Sequence, residues 1–280
     1  MMKNIYTGIV TYNPDISKLS ENIDSIYSQA NQTVIFDNGS YNQNDILKLI
    51  KKYDNVELIA SATNIGIASA LNQLMQWGYE MNYSWMLSLD QDSVCEHNYV
   101  SKMKDYLDIE PNIGIVAPVI YDKNVGVIGH NPVGNYSYVN TCITSGAFTS
   151  IKKWMEIGGY DDSMFIDSVD FEFCYRMRKK GYGVIQTSAS TLLHELGDSE
   201  KKRFLFWSFR LSSHSAFRDY YIARNNIYYP LKHNLYLRVI RGNFRNIKLL
   251  VQVLLYEQEK KNKVNSILRG WIDSYKTKLK

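Results

Sequence analysis

In the first half of the chain, short apolar runs alternate with stretches whose apolar residues recur at helical spacing. Ile5–Thr11 (IYTGIVT) reads as a strand, after which Ile16, Leu19, Ile23 and Ile26 return every three or four residues. Thr33–Phe36 reads as a second strand, Asp45–Lys52 as a short helix and Val56–Ala60 as a third strand. A helix over Ile65–Met81 follows, then a strand over Trp85–Leu89. Strands separated by helices make βαβ units and a mostly parallel central sheet flanked by helices, an α/β fold. Ligands of such sheets bind beyond the carboxyl ends of the strands. Three polar clusters stand at such ends: Thr11-Tyr12-Asn13, Asp37-Asn38-Gly39-Ser40 and Asp90-Gln91-Asp92. No GxGxxG or GxxxxGK motif follows the first strand, which argues against a Rossmann dehydrogenase and a P-loop NTPase. A phosphate site here needs another source of positive charge, and a cation held by Asp90 and Asp92 would supply it. Taken alone, LSLDQDS reads equally well as a plain turn, because Asp, Gln and Ser often follow a strand.

The second half reads differently. Ile113–Tyr121, Tyr138–Thr144, Gly146–Ile151 and Val184–Thr187 have strand character, and Ser168–Lys180 that of a helix. Beyond Phe217 the pattern is mostly helical. A break near residue 215 is therefore expected, with an α/β body over 1–215 and a helical C-terminal part over 216–280. Within the body, a first half runs to about residue 95 and a second from about 96 to 215.

Charge separates the same two parts. The net charge of the 280 residues is +4, yet Pro230–Lys280 carries 12 Lys and Arg against 3 Asp and Glu, so the first 229 residues carry −5. A basic tail on a mildly acidic body suits an anionic surface, membrane or nucleic acid. It equally suits a self-packed helical subdomain or a homodimer contact. No motif upstream supports nucleic-acid binding. The three cysteines, Cys95, Cys142 and Cys174, form no CxxC pair, which suits a reducing cytosol and argues against a disulfide framework or a zinc site. The N-terminus turns polar too soon for a signal peptide, and no uncharged stretch is apolar enough to span a bilayer. A cytoplasmic protein, peripheral on the inner face of the membrane if its tail docks there, is the expectation.

A second acidic cluster lies in FIDSVDFEFCYR, residues 165–176. If Asp170 begins a helix, free amides and the helix dipole favour its ionised form. An N-cap explains a single acid in such a place. Asp167, Asp170 and Glu172 together, beside Phe165, Ile166, Val169 and Phe171, are denser than a cap needs, and a carboxylate in apolar surroundings can act as a general base. Glu172 reads as an orienting group or an acceptor contact. His194, in STLLHELG, is structural unless it approaches Asp90 and Asp92, where its imidazole would be a third metal ligand. Arg224, in DYYIARNNIYY, pairs either with a diphosphate or with an acid elsewhere.

The ordered set TYNP (11–14), FDNGS (36–40), NIGIASALN (64–72), LDQDS (89–93), SG (145–146), GGYDDSMFIDSVDFEFCYR (158–176), HELG (194–197) and YYIARNN (220–226) resembles the family 2 glycosyltransferases of the GT-A fold. Within them it is most similar to the bacterial rhamnosyltransferase-like branch. The resemblance covers roughly residues 5–230. It implies that Asp37 contacts the pyrimidine base, that Thr11 and Tyr12 line the nucleotide pocket, and that Asn64, Asn72, Gln91 and Arg224 belong to the nucleotide-sugar site. Asp90 and Asp92 would form the DxD element, with Mn²⁺ or Mg²⁺ as cofactor and His194, 24 positions after Asp170, completing the metal shell. Asp170 stands where the family keeps its catalytic base, with Asp167 and Glu172 on the acceptor side. The family often has two adjacent acids before this helix. Here Asp167 and Asp170 are separated, and Asp170 is the one favoured.

The activity so implied is inverting, metal-dependent transfer of a sugar, L-rhamnose from dTDP-rhamnose, to a lipid-linked or oligosaccharide acceptor of a surface polysaccharide. UDP-glucose and UDP-galactose are the competing donors. A nucleotidyltransferase would show a Gly-rich basic loop after the first strand, and TYNPDISK offers none. A non-catalytic nucleotide-sugar-binding module would have little use for Asp170.

Overall fold

The computed structural model describes residues 4–122, 126–193, 199–204, 207–212 and 214–278. Its elements, in chain order, begin with β1 (Ile5–Thr11), α1 (Ile16–Ile26), β2 (Thr33–Asp37), α2 (Gln43–Ile50), β3 (Val56–Ala60), α3 (Ile67–Glu80) and β4 (Trp85–Asp90). There follow β5 (Val94–Cys95), α4 (Tyr99–Lys104), β6 (Ile113–Asp122), β7 (Gly126–Ile128), β8 (Tyr136–Tyr138), β9 (Phe148–Ser150), α5 (Ile151–Glu156), α6 (Val169–Lys179) and β10 (Gly183–Leu193). The chain ends with β11 (Ser199–Phe204), β12 (Trp207–Ser212), α7 (Ala216–Lys232), α8 (Tyr236–Tyr256) and α9 (Lys260–Lys276).

The main sheet runs β3-β2-β1-β4-β9-β6-β10-β5, with β7 on β6 and β8 on β10. β3, β2, β1 and β4 are parallel throughout, as the strand-helix alternation requires. β9 enters antiparallel between β4 and β6, so the complete sheet is mixed. All seven residues of β1 are buried, the mark of a strand covered on both faces. Ile5 and Ile9 face Leu19, Ile23 and Ile26 of α1 and Ile46 and Leu49 of α2 in one core cluster. Each such fully buried side chain contributes about 1.5–3 kcal/mol. Tyr6 points the other way and donates its hydroxyl to the Leu74 carbonyl of α3 at 2.6 Å.

The register of the parallel strands carries the functional consequence. Thr11 stands opposite Asp37, and Val10 opposite Asp90. The ends of β1, β2 and β4 are therefore level, and the three polar clusters that follow them lie along one edge.

Two units partition the chain: Met1–Asp162 with Asp170–Glu195, and Ser163–Val169 with Leu196–Lys280. The second thus takes in residues 163–169 and the β11–β12 hairpin, where the sequence pattern placed a single break at 215. In that unit α7, α8 and α9 pack together around Ala223, Val253 and Ile267, all fully buried. One expected strand differs: of Tyr138–Thr144 only Tyr138 is in a strand, and the residues after it run irregularly to β9. Past Val139, whose amide still donates to the Val184 carbonyl at 2.9 Å, the β-branched Thr141, Ile143 and Thr144 have strand propensity but lie in no strand.

Candidate active site

The end of β4 and the loop after it carry Asp90, Gln91 and Asp92, all half-buried. The backbone there is held from three sides. Asn22 of α1, itself fully buried, donates through Nδ2 to the carbonyl of Asp90 at 2.9 Å and also to that of Ser93. The Asp90 amide donates to Ser145 Oγ at 3.0 Å, and Ser145 Oγ shares a 2.8 Å hydrogen bond with Ser93 Oγ. Gln91 accepts from the Tyr12 amide at 2.8 Å, joining this loop to the tip of β1. The Asp90 and Asp92 carboxylates are thus delivered on a braced turn.

The tips of β1 and β2 are stapled in the same way. The Asn13 amide donates to Ser40 Oγ at 2.7 Å and the Tyr41 amide to Asn13 Oδ1 at 2.9 Å. Asn13 lies in the left-handed region at φ 48°. Gly39 lies there as well, at φ 81°, and a Cβ on it would stand 2.6 Å from the Thr63 carbonyl carbon. Only glycine fits where these two loops touch. Asp37 is fully buried. One of its oxygens accepts from Thr11 Oγ1 at 3.3 Å, the other from the Ser40 amide at 3.3 Å and Gln43 Nε2 at 3.0 Å. Its carboxylate is thus already engaged by three protein donors. Thr11 is also fully buried, while Tyr12 is 48 % exposed. Asn64 accepts from Asn38 Nδ2 at 3.0 Å and from the Gly66 amide at 2.9 Å, setting the entry to α3.

Asn72 is engaged by protein groups on all sides of its amide. Its Nδ2 donates to the Tyr160 carbonyl and to Asp162, and its Oδ1 accepts from Trp154 Nε1 and the Tyr160 amide, at 2.7–3.0 Å. Both donors and both lone pairs are spent tying α3 to the turn at Gly159, a structural role where the resemblance implied a nucleotide-sugar contact.

The second acidic cluster begins α6. Asp170 is the second residue of the helix, and its Oδ1 accepts from the Phe171 amide at 2.9 Å. Glu172 has no exposed surface and is gripped by Arg176 through Nε and Nη2 at 2.8–2.9 Å. Its carboxylate is engaged as a buried brace within α6 rather than presented at a surface. Arg176 also donates to the Ile157 carbonyl at 2.8 Å.

One short segment meets both acidic clusters. Ser145 holds the Asp90 amide, and three residues earlier Cys142 Sγ lies 3.7 Å from Cys174 Sγ, one helical turn beyond Asp170. The pairing with Cys174, then burial, pushes the Cys142 thiol well up, and the Asp170 charge adds to this. Burial raises the Tyr160 phenol, again with Asp170 contributing. Residues 142–146 therefore bridge the loop of Asp90 and Asp92 to the helix of Asp170.

Asp167 and Arg224 lie in the second unit. Arg218 holds the Asp167 carboxylate at 3.0–3.3 Å. Arg224 is buried, donates to the Ser163 carbonyl and to Asn225 Oδ1, and lies over the rings of Tyr221 and Tyr228 at 5.1 and 5.4 Å. The guanidinium is thus engaged inside this unit through Nε and Nη2, where the resemblance implied a diphosphate contact. Asn225 donates to the carbonyls of Ile166 and Asp167, both at 2.8 Å. These bonds secure a turn in which Asp167 and Ser168 are both left-handed, at φ 66° and 62°. Each such residue costs about 1–2 kcal/mol, which the bonds from α7 offset.

His194 lies outside the described residues. Among those described, no three His, Cys, Asp or Glu side chains converge on a metal position. The half-buried carboxylates of Asp90 and Asp92 are hard oxygen donors without a cysteine beside them, a partial shell that fits Mg²⁺ or Mn²⁺ shared with phosphate oxygens and water.

Residues 7–159 match the model of Glycosyl transferase family 2. Over 241 residues the chain is 31% identical to the dTDP-rhamnosyl transferase RfbF of Shigella flexneri, spanning 80% of this chain and 79% of that one. The mannosyltransferase PcManGT of Pyrobaculum calidifontis, solved with GDP-Man and Mn²⁺, superposes with a TM-score of 0.60 at 11% identity, over 98% of this chain and 76% of its own. GalNAc-T7, solved with UDP, GalNAc and Mn²⁺, gives 0.59 at 14% identity over 82% of this chain, which spans half of that structure. Both likenesses are of fold, and both neighbours are GT-A glycosyltransferases.

Proposed function

Because this chain belongs to glycosyl transferase family 2, we propose that it moves L-rhamnose from dTDP-rhamnose, with inversion, onto a hydroxyl of a lipid-linked cell-surface polysaccharide precursor. The observation that carries the reading is the bridge formed by residues 142–146. It joins the loop of Asp90 and Asp92 to the helix bearing Asp170, which gives a leaving-group pole and a base pole in one unit. The donor assignment is supported by the name and extent of the Shigella relative.

In this reading the tips of β1, β2 and β4 receive the nucleotide diphosphate. Tyr12, exposed beside the Gln91 bond, is the surface offered to the base, and Asp37 becomes available to it when Gln43 swings away. A divalent cation held by Asp90 and Asp92 would offset the charge that builds on the departing diphosphate. Asp170 takes the proton of the acceptor hydroxyl as its oxygen bonds to the anomeric carbon. The bond from that carbon to the diphosphate oxygen breaks on the opposite face. One displacement inverts the centre, and no second carboxylate is needed to carry a sugar. Glu172 with Arg176 braces the first turn of α6.

Calorimetry with dTDP-rhamnose, UDP-glucose, UDP-galactose and UDP-N-acetylglucosamine, with and without Mn²⁺, tests the donor. Metal-dependent binding confined to dTDP-rhamnose, lost in Asp92→Ala, is expected. Binding confined to a UDP-sugar would transfer the site to a hexosyl donor.

A further inference from the structure

α8 presents a stripe that the packing of its own unit leaves uncovered. Gly242, Asn246 and Val253 face inward. On the opposite side Leu237, Ile240, Phe244, Ile247, Val251 and Leu254 follow one another at three- and four-residue spacing and are all exposed, Leu237 by 78 % and Phe244 by 66 %. The spacing places all six on one face of the helix. From Leu237 to Leu254 that face runs about 26 Å at 1.5 Å per residue. α9 adds exposed Ile272 and Tyr275, and Tyr275 reaches Asn243 of α8 at 3.2 Å.

Along one flank of the apolar stripe run Arg238, Arg241, Arg245 and Lys248, all exposed. The sequence of α8, YLRVIRGNFRNIKLLVQVLLY, holds no acidic residue. Two occupants could cover such a face. A second copy of the chain would bury the apolar side chains, but an antiparallel two-fold pairing of α8 with α8 sets arginines against arginines, and in either orientation the partner α8 brings no acid to neutralise them. Like charges so opposed are unfavourable. An anionic lipid surface satisfies both halves at once, since the acyl boundary takes the apolar stripe and the headgroups take the cations. Among the described residues no helix is long and apolar enough to cross a membrane. The mode is therefore one of lying in the interface.

We propose that α8 is an in-plane membrane anchor, binding anionic phospholipid through the Leu237–Leu254 stripe and the Arg238–Lys248 flank. The proposal stands on the second unit alone and does not rest on the transferase reading.

Flotation of the full chain with vesicles of phosphatidylcholine, alone or with about 30 % phosphatidylglycerol, tests it. Binding is expected to the anionic vesicles, to weaken with salt, and to be slight on phosphatidylcholine alone. Arg241→Glu with Arg245→Glu should weaken it roughly thirtyfold or more, at about a factor of five per lost basic contact. Phe244→Glu with Val251→Glu should abolish it. Every substituted side chain is exposed, so circular dichroism and nucleotide-sugar binding should match the wild type. Equal binding to both vesicle types, or undiminished binding by either double variant, overturns the proposal. So does a wild-type dimer, seen by light scattering, that Phe244→Glu with Val251→Glu splits while vesicle binding persists.

Discussion

Asn22 Nδ2 donates to the carbonyl of Asp90 at 2.9 Å across 68 positions of sequence. The same amide reaches Ser93, so one buried side chain on α1 sets both ends of the loop that carries the two candidate metal ligands. Replacing it removes a donor from two carbonyls at once.

Asn22→Leu is predicted to destabilise the fold by about 1–3 kcal/mol, the cost of leaving buried acceptors unpaired. A loosened Asp90–Asp92 loop should also weaken Mn²⁺-dependent nucleotide binding while leaving metal-free nucleotide binding nearly unchanged. Urea unfolding gives the first quantity, and calorimetry with and without Mn²⁺ the second. Equal losses in both binding measurements would assign Asn22 to general stability alone.

Glu172 is predicted to act behind the site. Arg176→Met removes the guanidinium bonded to its buried carboxylate, and a broken buried pair of this kind typically costs about 3–5 kcal/mol. Glu172→Gln, which retains hydrogen-bonding capacity, should lower the unfolding midpoint without raising the acceptor KM. A large rise in KM with stability intact would put Glu172 back among the acceptor contacts.

Asp219 of α7 gives the second unit a pH signature. Burial, followed by the nearby Glu257 charge, raises its carboxyl to about 7. An unfolded aspartate titrates near 3.9. The folded chain therefore keeps a proton that the unfolded chain has released, and stability from this group is greatest below about pH 4. It is lost as pH climbs through about 7. Asp219→Asn removes the titration and is predicted to be the more stable form at pH 8, by on the order of 2 kcal/mol. Thermal unfolding at pH 5 and pH 8 decides this, since identical pH dependence in wild type and variant would contradict it.

Gly39→Ala is expected to disrupt the contact between the loops after β2 and β3. A Cβ there meets the Thr63 backbone at 2.6 Å, and its left-handed φ disfavours alanine further. A loss of about 2 kcal/mol or more, with weakened nucleotide binding, is expected from chemical unfolding and calorimetry. A neutral substitution would show that the loops separate freely.

The parallel half of the sheet was readable in the sequence because its strands are buried on both faces and its helices carry plain apolar stripes. IYTGIVT and WMLSLD admit few other readings, and once parallel their ends must be level. Local composition could not reveal what a polar side chain bonds to. Asn22 looks like a polar interruption in an amphipathic helix, and only the fold brings it under Asp90. Asn72 stands in a motif beside a nucleotide loop, yet its amide is saturated by Tyr160, Asp162 and Trp154. Arg224 among tyrosines offers the chemistry of a phosphate ligand, and the fold spends it on Ser163, Asn225 and two rings. The basic tail was visible as a charge imbalance, whereas the uncovered stripe of α8 depends on knowing which face α7 and α9 occupy.

The role of Asp170 is the centre of the account, and turnover of dTDP-rhamnose by wild type and Asp170→Asn tests it most directly. Release of dTDP should be followed with Mn²⁺ and a membrane-extracted lipid-linked acceptor, and donor affinity measured in parallel. A fall in rate of about 10²–10⁴-fold, with donor affinity kept within about twofold, is predicted for a lost general base. An unchanged rate at full donor occupancy would contradict it and return the base to another residue.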